Sequence, residues 1–478
     1  MTARDSMTSG ERVRDDVAAL VARARAAQRV VDGCDQARAD ELATAAGWAI
    51  VEPSRNRALA ELAVRDTGLG DAGDKFAKNR RKTMGLLRDL RGAKSVGVIA
   101  EHPERGIVEI ARPVGVVAAI TPSTNPAATP ANNVVNALKG RNAIVIAPSP
   151  KGASTLALLL SYVHAELDAI GAPRDLVLAL PSPVTREHTN ELMRQADLVV
   201  ATGSANNVRA AYASGTPALG VGAGNVAAIV DETADLAAAA ARIARSKTFD
   251  NATSCSSENS VIAVAPIADA LVEALAREGG VRLDREEAAR LRATMFPGGK
   301  LSPQVVAQPA PAIAALAGLV RPEVASARFL IVDEDGVGPG HPFSGEKLSP
   351  VLAFYRAPDF AAAAGRVAAI YGYQGAGHSV GLHTSRPGRA TELGLTLPVS
   401  RVIVNQAHCF ATGGSYDNGL PFSLSMGCGT WGRNGFSDNL NYRHFLNITR
   451  VAMPIPADRV HEPTEDELFG DYRRRHGR

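Results

Sequence analysis

The first candidate nucleophile in this sequence is Cys255. It lies in the segment Ser246–Ser260, where only two residues besides the thiol are apolar. A structural cysteine behaves as a small hydrophobe and packs among apolar side chains, whereas the serines on both sides of Cys255 would let a substrate reach a nucleophilic thiol. Cys409 and Cys428 also have small residues nearby. This segment alone therefore leaves a nucleophilic role and a packing role open.

Two loops that follow strand-like runs could bind anionic groups. The run Val116–Ile120 leads into Thr121–Pro126, where two prolines favour an extended loop around Asn125. An asparagine held there could donate its amide to a developing oxyanion, and a plain Asx turn is the alternative. The run Leu198–Ala201 leads into Thr202–Asn207. This turn could present backbone N–H groups to a phosphate, although an ordinary connection fits equally well.

Two other sequence patterns could suggest ligand binding, but neither is assigned a ligand. The run Gly220–Asn225 imitates a dinucleotide-binding fingerprint, but it lacks the final glycine of G-x-G-x-x-G and precedes a strand-like run. It is therefore rejected as a fingerprint of that kind. The basic stretch Lys75–Lys94 is expected to form the solvated face of a helix.

The elements that must position these loops alternate between strand-like and helical patterns. After about ninety residues with helical periodicity, two such series follow, at 116–213 and 226–369, and they predict parallel sheets in two α/β domains. A hairpin at Val96–Ala111 and a strand at Phe445–Met453 are candidates for an arm. Exposed edges of this kind pair readily between subunits, so a homodimer or homotetramer is expected. The basic tail Arg473–Arg478 is expected to be disordered.

The composition excludes several classes of protein. Of 478 residues, 46% are hydrophobic and 21% are charged, which is typical of a globular chain long enough for several cores. A net charge of +3 is too small to attract nucleic acid electrostatically, and 5% aromatic residues are too few for a surface on which bases stack. No apolar run reaches the ~20 residues of a membrane span, and no secretory signal is recognised. The four cysteines lie far apart, which predicts no disulfide and no metal site and favours a cytoplasmic protein.

Several motifs, taken in order, resemble the aldehyde dehydrogenase superfamily over nearly the whole chain. The matching segments are Thr121–Pro126, Asn142–Lys151, Thr202–Ser204, Gly220–Asn225, Cys255, Glu346–Val351 and Gly427–Gly432. The resemblance implies an α/β fold with two interlocked domains and a small β oligomerisation arm. Residues 1–95 and 113–225 would form the cofactor-binding domain and residues 226–435 the domain of the catalytic thiol. Residues 96–112 and 436–478 would form the arm and tail.

The resemblance also implies roles for individual residues. Cys255 is then the nucleophile, and Asn125 donates to the oxyanion. Glu346 would hold the ribose of a nicotinamide cofactor, while Gly203 and Ser204 would meet its pyrophosphate. The other residues assigned to cofactor binding are Thr121, Pro122, Ser123, Pro148, Ser149, Lys151 and Gly222.

The most similar branch is that of the coenzyme A-acylating aldehyde dehydrogenases, and the segment Asn251–Ser260 is similar to members that act on sulfoacetaldehyde. Hydrolytic members of the superfamily carry a glutamate, before a Leu-Gly-Gly stretch, that activates water. The matching position here is Gly220, so the acyl-enzyme would await a thiol, with coenzyme A (CoA) as the acceptor. His378 could deprotonate that thiol, and a structural histidine is the alternative.

Departures from the family pattern bear on the cofactor and the substrate. Many NAD-preferring members place a glutamate at the adenosine ribose, where this chain has Pro150 beside Lys151. Losing an anion next to a cation favours NADP over NAD.

A sulfonate needs cationic or N–H partners, for which Arg433, Asn132 and His408 are the candidates. Surface or interface polarity is the alternative for Arg433.

Other functions remain open on the sequence alone. An acetaldehyde or propionaldehyde CoA-acylating dehydrogenase would have an apolar channel, and a phosphorylating semialdehyde dehydrogenase would use phosphate in place of CoA. The chain could also be a non-catalytic filament or microcompartment scaffold. The presence of Cys255, Asn125 and Glu346 together argues against a scaffold, because packing alone would not need all three residue types.

Overall fold

The computed structural model describes residues 8–222 and 224–477. Three predictions made from the sequence include residues outside these ranges. These residues are 1–7 at the start of the cofactor-binding domain, Ala223 in the glycine-rich run, and Arg478 at the end of the basic tail. Within the described ranges, no helix has the length and apolar character to cross a bilayer.

The helices and strands of the described residues are numbered in chain order. The helices are α1 (Ser9–Val31), α2 (Gln36–Val51), α3 (Pro53–Thr67), α4 (Ala72–Leu90), α5 (Ala128–Lys139), α6 (Ala153–Ala169), α7 (Arg186–Gln195), α8 (Ala205–Tyr212), α9 (Leu236–Thr248), α10 (Ala268–Arg277), α11 (Arg285–Met295), α12 (Ala310–Leu316), α13 (Pro322–Ala325), α14 (Phe360–Tyr373), α15 (Gly388–Thr396), α16 (His408–Ala411) and α17 (Glu465–His476). The strands are β1 (Gly97–His102), β2 (Ile107–Pro113), β3 (Val116–Thr121), β4 (Ala143–Pro148), β5 (Val177–Ala179), β6 (Leu198–Thr202), β7 (Ala218–Val221), β8 (Val226–Val230), β9 (Glu258–Val264), β10 (Gly280–Arg282), β11 (Phe329–Asp333), β12 (Val351–Ala357), β13 (Val380–His383), β14 (Val402–Val404) and β15 (Leu446–Ala452).

Two parallel sheets confirm the α/β class. The first has the order β5-β4-β3-β6-β7, and the second has the order β10-β11-β12-β9-β8-β13-β14. Every residue of β3 and β4 is buried, as expected for parallel strands that are covered on both faces. In β8 alternate residues enter different cores, with Ala227 and Ile229 in one and Ala228 and Val230 in the other.

A third, antiparallel sheet has the order β1-β2-β15. It confirms both the hairpin and the C-terminal strand that the sequence predicts, since β1 and β2 pair around a short turn and β15 lies along the other edge of β2. Much of β15 is exposed. Its role in subunit pairing stays a prediction.

Two expectations about charged segments are wrong. The part of the basic tail from Arg473 to His476 is helical, because α17 begins with a capping box of Thr464 and Glu467 and concentrates acidic residues in its first turn and basic residues in its last turn. The basic face of α4 is not solvated either. Lys75, Lys78 and Lys82 are only 3%, 6% and 7% exposed, because this face packs against the loop that precedes Cys255 and against backbone carbonyls.

Candidate active site

A cavity of about 450 Å³ lies between the two parallel sheets. One wall is formed at the carboxyl ends of β3, β6 and β7, where ligands of parallel sheets commonly bind. The other wall is formed by the loops before β9 and β12. The predicted site residues that line this cavity are Thr121, Pro122, Ser123, Asn125, Ser149, Gly203, Ser204, Gly222, Cys255 and Glu346.

The loop before Cys255 has an unusual backbone conformation. Asp250, Asn251 and Ala252 have φ values of 51°, 50° and 56°, in the left-handed region that non-glycine residues rarely adopt. Their conformation is held by the buried carboxylate of Asp250. It accepts hydrogen bonds from Asp71 N at 2.8 Å and from Thr253 Oγ1 at 2.6 Å, besides two lysine ammonium groups.

One of these lysines also fixes Asn125. Lys78 Nζ, which pairs with Asp250, donates to Asn125 Oδ1 at 2.8 Å and to Thr253 Oγ1 at 3.2 Å. The amide oxygen of Asn125 is thereby occupied. Its Nδ2 group remains as a donor in the cavity that contains Cys255, as stabilising an oxyanion requires.

A chain of hydrogen bonds leads from the thiol into the core. Cys255 Sγ lies 3.5 Å from His378 Nε2, His378 Nδ1 lies 2.7 Å from Ser379 Oγ, and Ser379 Oγ lies 2.8 Å from His408 Nε2. In the tautomer where His378 Nδ1–H donates to Ser379 Oγ, the lone pair of Nε2 faces the thiol. This arrangement orients His378 as a proton acceptor for Cys255.

In the resting site the protonation states of Cys255 and His378 oppose the transfer, because burial disfavours both the thiolate and the imidazolium, so the proton has to move as Sγ bonds to the substrate carbon. Burial, and next the charge of Glu346, raises the pKa of the Cys255 thiol to about 12. Burial, and next the charge of Arg401, lowers the pKa of His378 to about 3. At neutral pH the thiol is therefore protonated and the imidazole is neutral. Burial also raises the pKa of Glu346 to about 8, so that its carboxyl is mostly protonated at pH 7.

A second cavity of about 300 Å³ adjoins the first and shares Thr121 and Ser149 with it. Pro148, a predicted cofactor residue, lines this second cavity, and so does the exposed Arg186, which the sequence analysis missed. Ser149 Oγ is buried without a hydrogen-bond partner among the described residues. A polar ligand that spans both cavities would satisfy this hydroxyl.

The three residues predicted to bind a sulfonate are not brought to the cavity. Arg433 is exposed and follows the turn Thr430–Gly432 with a left-handed φ of 56°. Asn132 is buried within α5, and His408 is buried against Ser379. Lys151 is exposed in the turn Pro150–Gly152, just before α6, and lines neither cavity.

Lys82 and Thr129 are among the residues that line the main cavity and that were not predicted from the sequence. Lys75, Lys78 and Lys82 follow one another at intervals of three and four residues, which places them on one face of α4. That periodicity was the available signal. It distinguishes a single cationic face from charges scattered around the helix.

Gly220 lies in β7 and does not line the main cavity. Its N–H donates to Tyr212 Oη at 3.0 Å. A Cβ at this position would lie 2.6 Å from Val208 Cγ1 and 2.7 Å from the Tyr212 ring, both in α8. The chain therefore has neither a carboxylate at Gly220 nor room to add one without moving α8.

Comparison with known proteins agrees with this fold and site. The profile of the aldehyde dehydrogenase family matches residues 5–281, and the chain belongs to that family. It is 61% identical over 97% of its length to an acylating sulfoacetaldehyde dehydrogenase of Cupriavidus necator, of which it covers 93%.

Solved structures extend the comparison. An acetylating aldehyde dehydrogenase of Geobacillus thermoglucosidasius superimposes with a TM-score of 0.90 at 34% identity, over 96% of this chain and 99% of the other. A propionaldehyde dehydrogenase of Rhodopseudomonas palustris with bound propionyl-CoA superimposes with a TM-score of 0.82 at 25% identity, over 91% and 94% of the two chains.

Proposed function

We propose that this protein is a CoA-acylating aldehyde dehydrogenase that oxidises sulfoacetaldehyde to sulfoacetyl-CoA with NAD(P). The observation that carries the proposal is the geometry around Cys255. One cavity joins this thiol and an Asn125 amide that Lys78 holds in a single orientation, and the proton acceptor His378 lies behind the thiol, with its Nε2 3.5 Å from Sγ. The similarity to the Cupriavidus necator enzyme supports the substrate.

The first half-reaction forms a thioester on Cys255. Its Sγ attacks the aldehyde carbon while the thiol proton passes to His378 Nε2. The carbonyl oxygen becomes an oxyanion that accepts hydrogen bonds from Asn125 Nδ2 and from the backbone N–H of Cys255. A nicotinamide cofactor, when bound, supplies the acceptor for the hydride that leaves the thiohemiacetal carbon. The product is an acyl group joined to Sγ.

The second half-reaction passes the acyl group to CoA. The CoA thiol attacks the thioester carbon, the bond to Sγ breaks, and Cys255 is regenerated. Once the proton of the first half-reaction has left to solvent, His378 is again neutral and is positioned to take the proton of the attacking thiol and to return it to the departing Sγ of Cys255. The packing of α8 against Gly220 supports transfer to a thiol, because no carboxylate at that position can activate water.

The lining residues fit a nicotinamide cofactor across the two cavities. The turn with Gly203 and Ser204 precedes the N-terminus of α8, where backbone N–H groups favour phosphate. The unpartnered Ser149 hydroxyl and Glu346 suit ribose hydroxyls. Arg186 lines the outer cavity, and Lys151 directly follows Pro150, which lines it too, so we favour NADP over NAD.

We also propose how the chain is divided into domains and how it assembles. Residues 1–95 and 113–225 would bind the cofactor, and residues 226–435 would carry the thiol. Residues 96–112 and 436–478 would form the arm and tail through which a homodimer or homotetramer assembles. The four free thiols support a cytoplasmic location, and we propose no metal, nucleic-acid or membrane partner.

The test is a spectrophotometric assay of the purified protein with sulfoacetaldehyde, CoA and NADP, following the reduced cofactor. Parallel reactions omit CoA, replace NADP by NAD, or replace sulfoacetaldehyde by acetaldehyde. We expect turnover that requires CoA, and loss of turnover in Cys255→Ala but not in Cys34→Ala. Steady turnover without CoA would contradict acyl transfer to a thiol, and a preference for acetaldehyde would contradict the substrate.

A further inference from the structure

Helix α4 brings a lysine into the cavity that contains the nucleophile. Lys82 lines this cavity together with Asn125, Thr129 and Cys255. Its Nζ donates to Gly413 O at 2.7 Å and makes a longer contact of 3.4 Å with Gly414 O. An ammonium group has three donors. These two carbonyls leave one N–H of Lys82 for a ligand in the cavity.

Lys82 differs from the other buried lysines of α4 in its lack of a counter-ion. Lys75 and Lys78 both pair with the carboxylate of Asp250. In the described part of the chain, no carboxylate lies within 4.0 Å of Lys82 Nζ, and the cations Arg81 and Lys78 act on it, with the Cys409 thiol opposing them. A buried ammonium of this kind is costly unless an anion pairs with it.

The surroundings of Lys82 are positive and largely closed to solvent. A small cavity of about 40 Å³ beside the main one is lined by Lys78, Arg81, Lys82 and Asn125. Arg81 is held there by Phe410 O at 3.2 Å and Ser415 Oγ at 2.8 Å. An anionic group in this region would lie among three cations, of which one, Lys78, is paired with Asp250. The region therefore favours an anion over an uncharged group.

The position also suits a short substrate. In a two-carbon aldehyde the anionic group is attached to the carbon next to the reacting carbonyl, so its partner must lie in the same cavity as the nucleophile. Lys82 and Asn125 line both the main cavity and the small one, whereas Arg433 lines neither. A cation on the protein surface cannot reach the sulfonate of a molecule this small.

We propose that Lys82 binds the sulfonate of the aldehyde substrate and thereby selects sulfonated over uncharged aldehydes, with Arg81 adding to the positive potential. The proposal rests on the proposed function, since it assigns the residue that recognises the substrate of the same site. Lys82 takes no part in the transfer of the acyl group. Its role is specificity.

The variant that tests the proposal is Lys82→Met, which keeps the length of the side chain and removes the charge. We measure kcat/KM for sulfoacetaldehyde and for propionaldehyde and compare their ratio with that of the wild type. Loss of a charge-assisted hydrogen bond should lower this ratio about 10- to 100-fold. Arg80→Met is the matched control, because Arg80 is an exposed cation on the same helix, and it should leave the ratio unchanged.

A second measurement separates this proposal from the proposed function. Isethionate carries the same sulfonate on a two-carbon chain but no aldehyde, so its binding, measured by calorimetry, needs no catalysis. We expect wild-type protein to bind isethionate and Lys82→Met to lose that binding, with thermal unfolding as the check that the variant is folded. This result would support Lys82 even if sulfoacetaldehyde were not turned over.

Three results would overturn the assignment. The first is a folded Lys82→Met protein with the wild-type ratio of kcat/KM values. The second is the same isethionate affinity in both proteins, and the third is no isethionate binding to the wild type. If the proposed function is wrong, the result is different: the wild-type protein shows no CoA-dependent oxidation of sulfoacetaldehyde.

Discussion

Lys78→Met offers a sharp test of how the oxyanion donor is positioned. Lys78 Nζ donates to Asn125 Oδ1 at 2.8 Å and so fixes which end of the amide faces the cavity. A hydrogen bond to a charged group contributes about 1.5–3 kcal/mol, which corresponds to about a 10- to 150-fold preference for that orientation. Loss of this preference alone lowers the correctly oriented population only about twofold, so most of the expected fall in kcat/KM for the aldehyde, about tenfold or more in all, comes from losing the positive charge that polarises the amide. For comparison, loss of an oxyanion donor costs about 10²–10³-fold.

The assay is a double-mutant cycle of Lys78→Met and Asn125→Ala, read as kcat/KM for the aldehyde at saturating CoA, which reports on acylation of Cys255. If Lys78 acts through Asn125, its substitution should cost at least tenfold less in the Asn125→Ala background than in the wild type. Some loss of kcat/KM is still expected when Lys78 is replaced in the Asn125→Ala background, because Lys78 also holds the loop of Asp250. Equal losses in the two backgrounds would refute the reasoning.

Three other substitutions or conditions test separate parts of the account. In the Gly220→Glu variant, the rate of cofactor reduction without CoA should equal that of the wild type, since a side chain at this position meets α8 rather than the cavity. Hydrolysis of the thioester by this variant would contradict that placement. Asp250→Asn should lower the free energy of unfolding in urea by about 3–5 kcal/mol, because two buried lysines lose their counter-ion; an unchanged unfolding midpoint would argue against this. Burial, and next Arg81, lowers the pKa of Lys82 to about 7, with Lys78 acting in the same sense and Cys409 opposing them. The ratio of kcat/KM for sulfoacetaldehyde to that for propionaldehyde should therefore fall as pH rises above 7, where the ammonium is lost, and Lys82→Arg should abolish this fall.

The parts of the fold that the sequence predicts well are those determined by local patterns. Alternating apolar runs and helical segments indicate the parallel sheets, and the loops after β3 and β6 place Asn125 and Ser204 at the carboxyl ends of neighbouring strands. Short strands such as β7 and β14 carry too few residues for a periodic signal.

The burial of the lysines on α4 could not be predicted in the same way. A charged helical face is normally solvated. Here its environment is set by groups far away in sequence, because Asp250 is 172 residues from Lys78 and Gly413 is 331 residues from Lys82. The exposure of Arg433 could not be predicted for the same reason. Proximity in sequence to a motif of the site does not determine whether a side chain points into the cavity.

The central claim is that Cys255 carries a thioester that persists until a thiol removes it. Mass spectrometry of the protein incubated with sulfoacetaldehyde and NADP, but without CoA, tests this claim most directly. The account predicts an acyl adduct on the peptide of Cys255 and on none of the peptides of Cys34, Cys409 and Cys428, lost when CoA is added as the acyl-CoA appears. An adduct on another cysteine, or loss of the Cys255 adduct to water as fast as to CoA, would contradict the account.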